Sequence, residues 1–460
     1  MSETGGFRMV MSRSVCLAFV LLLSGCDEVA SGSDPLETGH TDPFPSTYMP
    51  PEGPDLFIKG AKIFDGAGNL YEKASILVRD GRIEALGTDL ETPEDVELVD
   101  AAGKYVTPGI IDPHTHLGNA GPPFYEEKID VWDVNETSGP YNQQLHAETA
   151  IRTQDPTFSR FREAGVTTAQ VLPGSANLFG GQGVVIRTLD AVSVQEIKFP
   201  SAAPSLKMAC GENPKYTYGE KDRFPTSRMG IVSGQRHVFR KAAQAMKSGE
   251  VAPHLKPIVD LLRGELRLHV HCYTSDDMAI LLAMSQEFDF QITAFHHAAE
   301  AYKIADRLAA ADVCAVVWAD WWGFKMEIFD AVRANAAILE DAGACVALHS
   351  DSGITGQRLP IEASKAMAAG RRAGIDISPQ EAIKWITSSP ARMLGIDDQT
   401  GALEPGKRAD LVIWSGDPFS IYTLSERVYI DGALVYDRAA GETYHTSDLE
   451  LGQPALETVQ

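Results

Sequence analysis

Two histidines one residue apart close the apolar run "GIIDPHTHLG" (Gly109–Gly118). Side chains at i and i+2 of a strand leave the same face, so His114 and His116 point one way and Thr115 the other. Two neutral imidazoles on one side make a nitrogen pair for a single cation. A solvated histidine pair at a strand end is the plainer alternative, and this stretch alone does not separate the two. Three more apolar runs end in the same residue types. "ELRLHVHC" ends in His269 and His271, "FQITAFHH" in His296 and His297, and "CVALHSD" in His349 and Asp351. One such histidine is ordinary. Imidazoles and a carboxylate gathered from four strand ends are the N/O donor set of zinc-like ions.

The elements that would gather them are legible in the middle of the chain. The three later runs are each followed by a helical pattern: "DDMAILLAMSQEF", "AEAYKIADRLAAA" and "PIEASKAMAAGRRAG". A fourth unit pairs "VCAVVWADWW" with "MEIFDAVRANAAILEDAG". Alternating strands and helices imply a parallel sheet covered by helices, and residues 105–396 have about the length of a TIM barrel, whose chemistry sits at the C-terminal strand ends. A doubly wound open sheet is the alternative, but no GxGxxG follows a first strand. Residues 119–228 are less regular, and their strands are not all placed.

The ends of the chain carry a different grammar. "DLFIKGAKIFDG" and "ASILVRDGRIEALG" alternate around Asp80-Gly81, and "ADLVIWSGDP" and "RVYIDGALVYD" around Asp431-Gly432. Asp-Gly between apolar flanks signals a two-residue hairpin with positive φ at both turn residues. Neither half has enough strands to bury a sheet face alone. We expect residues 55–104 and 397–445 to pair into one small β-sandwich, with 446–460 as a tail.

The 460 residues carry a formal net charge of −23, with 44% hydrophobic and 22% charged side chains. That balance fits a globular protein and opposes binding to nucleic acid or to an anionic membrane surface. Near the start, Arg8 and Arg13 precede "VCLAFVLLLSG", too short to span a bilayer and suited to a signal-peptide core. It ends in "LLSGC", which resembles a bacterial lipobox with Cys26 as the lipidated residue. Residues 1–26 are therefore read as a lipoprotein signal peptide and 27–54, rich in Pro, Gly, Ser and acids, as a flexible linker. The expected location is the bacterial cell envelope or periplasm, with the membrane reached only through the lipid. Cys210, Cys272, Cys314 and Cys345 follow no CxxC pattern and read as buried thiols; export permits disulfides, but spacing assigns none.

With these residues in view, the chain resembles the metal-dependent amidohydrolase superfamily, especially its imidazolonepropionase-like and dipeptidase-like exported members. The resemblance rests on "TPGIIDPHTHL", "GVTTAQVLPG", "SLKMACGENPK", "LHVHCYTSDDM", "HHAAEAY", "LHSDSG" and "SSPARMLGIDDQTGALEPGKRADLVIW". It implies a (β/α)8 barrel plus a small composite β-sandwich. It also implies that His114 and His116 are first-strand ligands, His269 the fifth-strand ligand with His271 in reserve, and His297 the sixth-strand ligand beside an outward His296. Asp351 matches the aspartate that binds metal and moves the proton. Lys207 stands where two-metal relatives carry a carboxylated lysine bridging both ions. One-metal relatives carry a Glu acid three residues after the fifth-strand histidine, and here that position is Cys272.

These correspondences imply a divalent metal, zinc by preference, with one or two ions per subunit. The expected reaction is hydrolysis of an amide, peptide or cyclic amide C–N bond in a small or dipeptide-like substrate, with Asp351 as base and then acid to metal-activated water. A one-metal deaminase or ring-opening hydrolase is the first alternative, and a non-catalytic surface binding protein on the same fold the second. Trp318 and Tyr273 are candidate pocket walls, His271 a candidate substrate contact, and Arg228 and Arg236 candidate grips for a substrate carboxylate. Trp321 and Trp322 belong to the same candidate wall, and self-association into a homo-oligomer stays open.

Overall fold

A computed structural model describes residues 40–120 and 132–441. The signal segment with Cys26, the first part of the linker (27–39) and the tail lie outside the described residues. The later part of the linker is not a free tether. His40 lies 3.2 Å from Asp260, the Thr47 N–H donates to the Gln195 carbonyl, and the Ser46 hydroxyl donates to the Lys198 carbonyl. Composition alone reads this stretch as solvated, whereas its backbone and side chains find partners on the barrel.

Both ends of the chain build one sheet. From the N-terminal part come β1 (Leu56–Phe64), β2 (Leu70–Arg79), β3 (Arg82–Gly87), β4 (Glu97–Asp100) and β5 (Tyr105–Pro108). The barrel supplies β6 (Ile110–Thr115), β7 (Val166–Val171), β8 (Phe179–Arg187), β9 (Ser205–Ala209), β10 (Arg267–Cys272), β11 (Ile292–His297), β12 (Cys314–Val317) and β13 (Val346–Leu348). The C-terminal part returns β14 (Leu411–Trp414), β15 (Ser425–Ile430) and β16 (Ala433–Asp437). The composite sheet runs β16-β15-β14-β5-β1-β2-β3, with β4 beside β1. Strand β5 therefore belongs to this sheet, and the barrel starts at Ile110 rather than at Tyr105.

Asp80 and Gly81 have φ of 48° and 73°, and Asp431 and Gly432 have 50° and 78°, as the two hairpin turns require. Leu56, Ile58, Ile76, Val78, Leu411 and Tyr429 fill the sheet's own core. It is fastened to the barrel by Arg187 of β8, fully buried and 2.5 Å from Asp410, with Asp431 shared between Arg187 and Arg408.

The barrel strands run in the order β6 to β13. All neighbours pair in parallel except around β8, which is antiparallel to both β7 and β9. The cause is the connection. Residues 172–178 are too few for a parallel crossover, which needs a dozen or more, so the chain turns back. Irregular residues 119–228 thus hold β7, a reversed β8 and β9. Between β13 and β6 the backbone of residues 385–386 fills the seam: Leu348 N–H donates to the Trp385 carbonyl and Ile111 N–H to the Ile386 carbonyl. At the other end of that seam the Asp351 N–H donates to the His114 carbonyl at 3.0 Å. The ends of the first and last strands are thereby joined where the chemistry-bearing residues lie.

Disulfides Cys210–Cys272 and Cys314–Cys345 join neighbouring strand ends. The four cysteines are not thiols. Among the described residues no helix is long and apolar enough to cross a membrane.

Candidate metal centre

Histidines from the ends of β6 and β11 converge on one carboxylate that follows β13. Nε2 of His114 lies 3.3 Å and Nε2 of His116 3.4 Å from Oδ1 of Asp351, and Nδ1 of His297 lies 3.7 Å from Oδ2. The other ring nitrogen of His116 is 3.0 Å from the Leu172 carbonyl. Donating there fixes the proton on Nδ1 and leaves the Nε2 lone pair facing inward, as metal-binding histidines are held. Thr115 turns away and accepts the Leu117 N–H. Nζ of Lys207 is 3.1 Å from Nε2 of His114. Deeper in the barrel, Nδ1 of His269 lies 2.8 Å from Nε2 of His296, and its Nε2 is 3.4 Å from Gln170.

His296 does not point outward. In the parallel ladders His269 pairs with Lys207 and His271 with both Ala209 and His296, so regular alternation turns His296 inward with its partners. His297 is the exception. Its φ of 68° lies in the left-handed region, which swings its ring into the site as well. Its centroid is 4.6 Å from that of His271, 4.9 Å from His349 and 5.2 Å from His114. Asp351 has φ of 52°, a second strained residue at the same site.

Two contributors are additional to the ligand set that the resemblance implied. His349 stacks on His114 at 5.3 Å, and donor atoms of His114, His297, His349 and Asp351 all lie within 4.8 Å of one another. Its place after β13, two residues before Asp351, was the available signal. Asp112 is buried, and its Oδ1 accepts the N–H groups of His114 and Ser350 at 3.2 Å each. It ties the ligand-bearing ends of β6 and β13 together. Burial pushes its pKa up to about 7.

The donor chemistry suits a divalent cation. Burial, with Lys207 and the neighbouring imidazoles adding to it, holds His114 well below the ordinary histidine range, and burial does the same to His271, His296 and His297. His349 is pushed down to about 3. Neutral imidazoles with free lone pairs are what a cation binds. Burial opposes ionisation of Asp351, but His116, His349 and Lys207 together keep it below its usual range. Nδ1 of His114, Nδ1 of His297 and both nitrogens of His271 and His349 are buried without hydrogen-bond partners. Buried polar atoms are normally satisfied, and a cation would satisfy those that face it.

The amidohydrolase family model matches residues 105–446. The chain belongs to the amidohydrolase family. Amidohydrolase tasK from Hapsidospora irregularis is 28% identical over 410 residues, covering 81% of this chain and 41% of that protein. The chain thus spans less than half the length of that relative. An imidazolonepropionase from Geobacillus sp. (strain WCH70) is 27% identical over 383 residues, 75% of this chain and 84% of that one. The solved structure of an amidohydrolase from Thermotoga maritima MSB8 superposes with a TM-score of 0.77 at 33% identity, covering 83% of this chain and 100% of the other.

Around this amidohydrolase centre the remaining candidates divide. Tyr273 packs 4.7 Å from His271, and Trp318 packs 4.6 Å from His297 and 5.0 Å from His349. Arg228 and Arg236 are not brought in. Arg228 pairs with Asp276 and Asp277, and Arg236 with Glu287, so carboxylates of one helix, Ser275–Phe288, take both guanidiniums. Cys272, where a one-metal amidohydrolase would carry its acid, is bonded to Cys210 and offers no proton.

Proposed function

We propose that this amidohydrolase-family protein is a metal-dependent hydrolase of the C–N bond of an amide, peptide or cyclic amide in a small substrate. The observation that carries the reading is the meeting of His114, His116 and His297 on the Asp351 carboxylate, within 3.3–3.7 Å. His114, His116, His297 and Asp351 would hold the metal, zinc in this reading, with His349 a further nitrogen beside it; His269 would join them only on giving up its Nε2 contact with Gln170 to the cation. When bound, the cation supplies Lewis-acid polarisation of the substrate carbonyl and lowers the pKa of water toward neutrality.

The chain's own part follows from position. Asp351 accepts the proton of the attacking water and returns it to the departing nitrogen, one carboxylate serving as base and then acid. Its ionised state prepares it for the first half of that cycle. The Leu172 carbonyl orients the His116 ring, and Asp112 anchors the backbone of His114, whose Nε2 faces Asp351. Lys207, which faces His114, is proposed to be carboxylated, and its carbamate would then be a further oxygen ligand able to help hold a second ion. Burial pushes its pKa down to about 7, and the neutral amine so favoured is the form that adds CO₂.

A one-metal ring-opening or deaminating reaction is the second reading. It is favoured by the tight His114, His297, His349 and Asp351 group, compact enough for a single ion. The disulfide at Cys272 weighs against it. Export to the cell envelope with a lipid on Cys26 is part of the proposal, and the two disulfides support an oxidising compartment. The test is a screen of dipeptides and cyclic amides with zinc or manganese supplied. Product should form with wild type and fall by orders of magnitude in Asp351→Asn; equal turnover by that variant would overturn the proposal.

A further inference from the structure

Beside the centre lies a cavity of about 270 Å³. His297 forms part of its wall, so the cavity adjoins the proposed centre, and Trp318, Trp321, Trp322 and Ile328 are the large apolar side chains among its lining. Its shape comes from the chain after β12. The run "WADWWGFK", which could have extended the strand, is a loop followed by a short 3-10 turn (Met326–Ile328), and the next α-helix starts only at Asn335. Trp318 and Trp321 stack at 4.7 Å with planes 13° apart, and Trp322 is held by its indole N–H donating to the Phe329 carbonyl at 2.6 Å. The tryptophans thus present fixed aromatic faces.

Three features narrow the occupant. A volume of this size is below the range for drug-sized ligands and suits one side-chain-sized group. Trp321, Trp322, Phe324 and Phe329 are 40–60% exposed, a cluster of large apolar side chains of the kind that marks a ligand groove. Aromatic walls can hold a cation, but Arg333 lines this cavity without an ion pair among the described residues, while the Asp320 carboxylate is taken by Lys365 at 2.6 Å. The local charge therefore opposes a cation. We propose that this cavity is the specificity subsite of the enzyme and takes a neutral, planar apolar group of the substrate, such as a phenyl or indole side chain next to the scissile bond. The inference rests on the hydrolase reading above for the word substrate, but not for the binding itself.

Two probes separate the claims. Phenylalanine hydroxamate and glycine hydroxamate carry the same metal-binding head, so their affinity difference on zinc-loaded protein reports the cavity. The phenylalanine form should bind at least about tenfold more tightly, the scale on which apolar pockets discriminate. Trp321→Ala should bring the two within about twofold and leave glycine hydroxamate unchanged. Benzamide needs no metal and is titrated by calorimetry, with choline as the cationic competitor. It should bind wild type, weaken about tenfold in Trp321→Ala, and resist displacement by choline. Circular dichroism and metal content check folding, and Trp322→Ala repeats the test should Trp321→Ala misfold. Equal hydroxamate affinities in wild type, an equal loss for both hydroxamates in the variant, or displacement of benzamide by choline would each overturn the subsite. Neither hydroxamate binding while benzamide still depends on Trp321 would sink the metal reading and leave the subsite standing.

Discussion

Replacing Lys207 by Met separates a metal-holding residue from a structural one. The side chain is 1% exposed, and its amine faces His114. Lowering the amine pKa from 10.5 to about 7 by burial corresponds to about 5 kcal/mol against the charged form. A bare lysine is therefore a burden on the fold, not a support. Methionine fills similar volume without that penalty, and replacing buried charge by apolar atoms is commonly neutral or stabilising by about 1–4 kcal/mol. The metal-free variant should accordingly melt no lower than metal-free wild type. Metal content, by mass spectrometry after dialysis against zinc and bicarbonate, should fall from about two ions to at most one. Turnover should drop by about a thousandfold or more, and short carboxylic acids should restore part of it to Lys207→Ala, whose shorter side chain leaves room. Isotope-labelled bicarbonate should leave a carbamate signal in wild type alone. A Lys207→Met protein with wild-type metal content and turnover would refute the carbamate ligand, whatever its melting temperature.

Four further outcomes follow. His296→Asn should lower turnover and loosen metal, because His269 loses its 2.8 Å neighbour; metal titration with a wild-type result would return His296 to a packing role. Cys210→Ala with Cys272→Ala removes a cross-link over 62 residues, worth about 4 kcal/mol in the chain-entropy model, and denaturant melts should show most of that loss without reductant. Gly356→Ala would place a methyl 2.3 Å from the Phe161 ring and should destabilise by about 1–3 kcal/mol, checked by the same melts. Cys26→Ser should release the protein from the membrane fraction, and wild type already found in the soluble fraction would remove the lipid anchor.

What could be read from the residues and what could not divides along physical lines. The two Asp-Gly turns were legible because local backbone chemistry decides them, and both show the paired positive φ. His114 and His116 were legible as an inward pair because a period of two needs no tertiary information. His296 was misjudged for the opposite reason, while His297 faces the site as expected. Which of two adjacent residues faces inward depends on register with β10 and on one left-handed φ, and neither is written in the local pattern. The reversed β8 follows from a short connection among strands the sequence left unplaced. The disulfides depend on neighbouring strand ends whose cysteines lie 62 and 31 residues apart. The segment after His40 has the composition of a linker, yet its partners come from distant parts of the barrel.

The most direct test of the central claim is turnover followed through metal removal and return. Protein exhaustively dialysed against a chelator should lose hydrolysis of its best dipeptide or cyclic amide together with its metal. Zinc should restore both in wild type, while Asp351→Asn should regain little activity even when loaded. Hydrolysis that persists in metal-free protein, or fully zinc-loaded wild type that cleaves no C–N bond across the panel, would contradict the account.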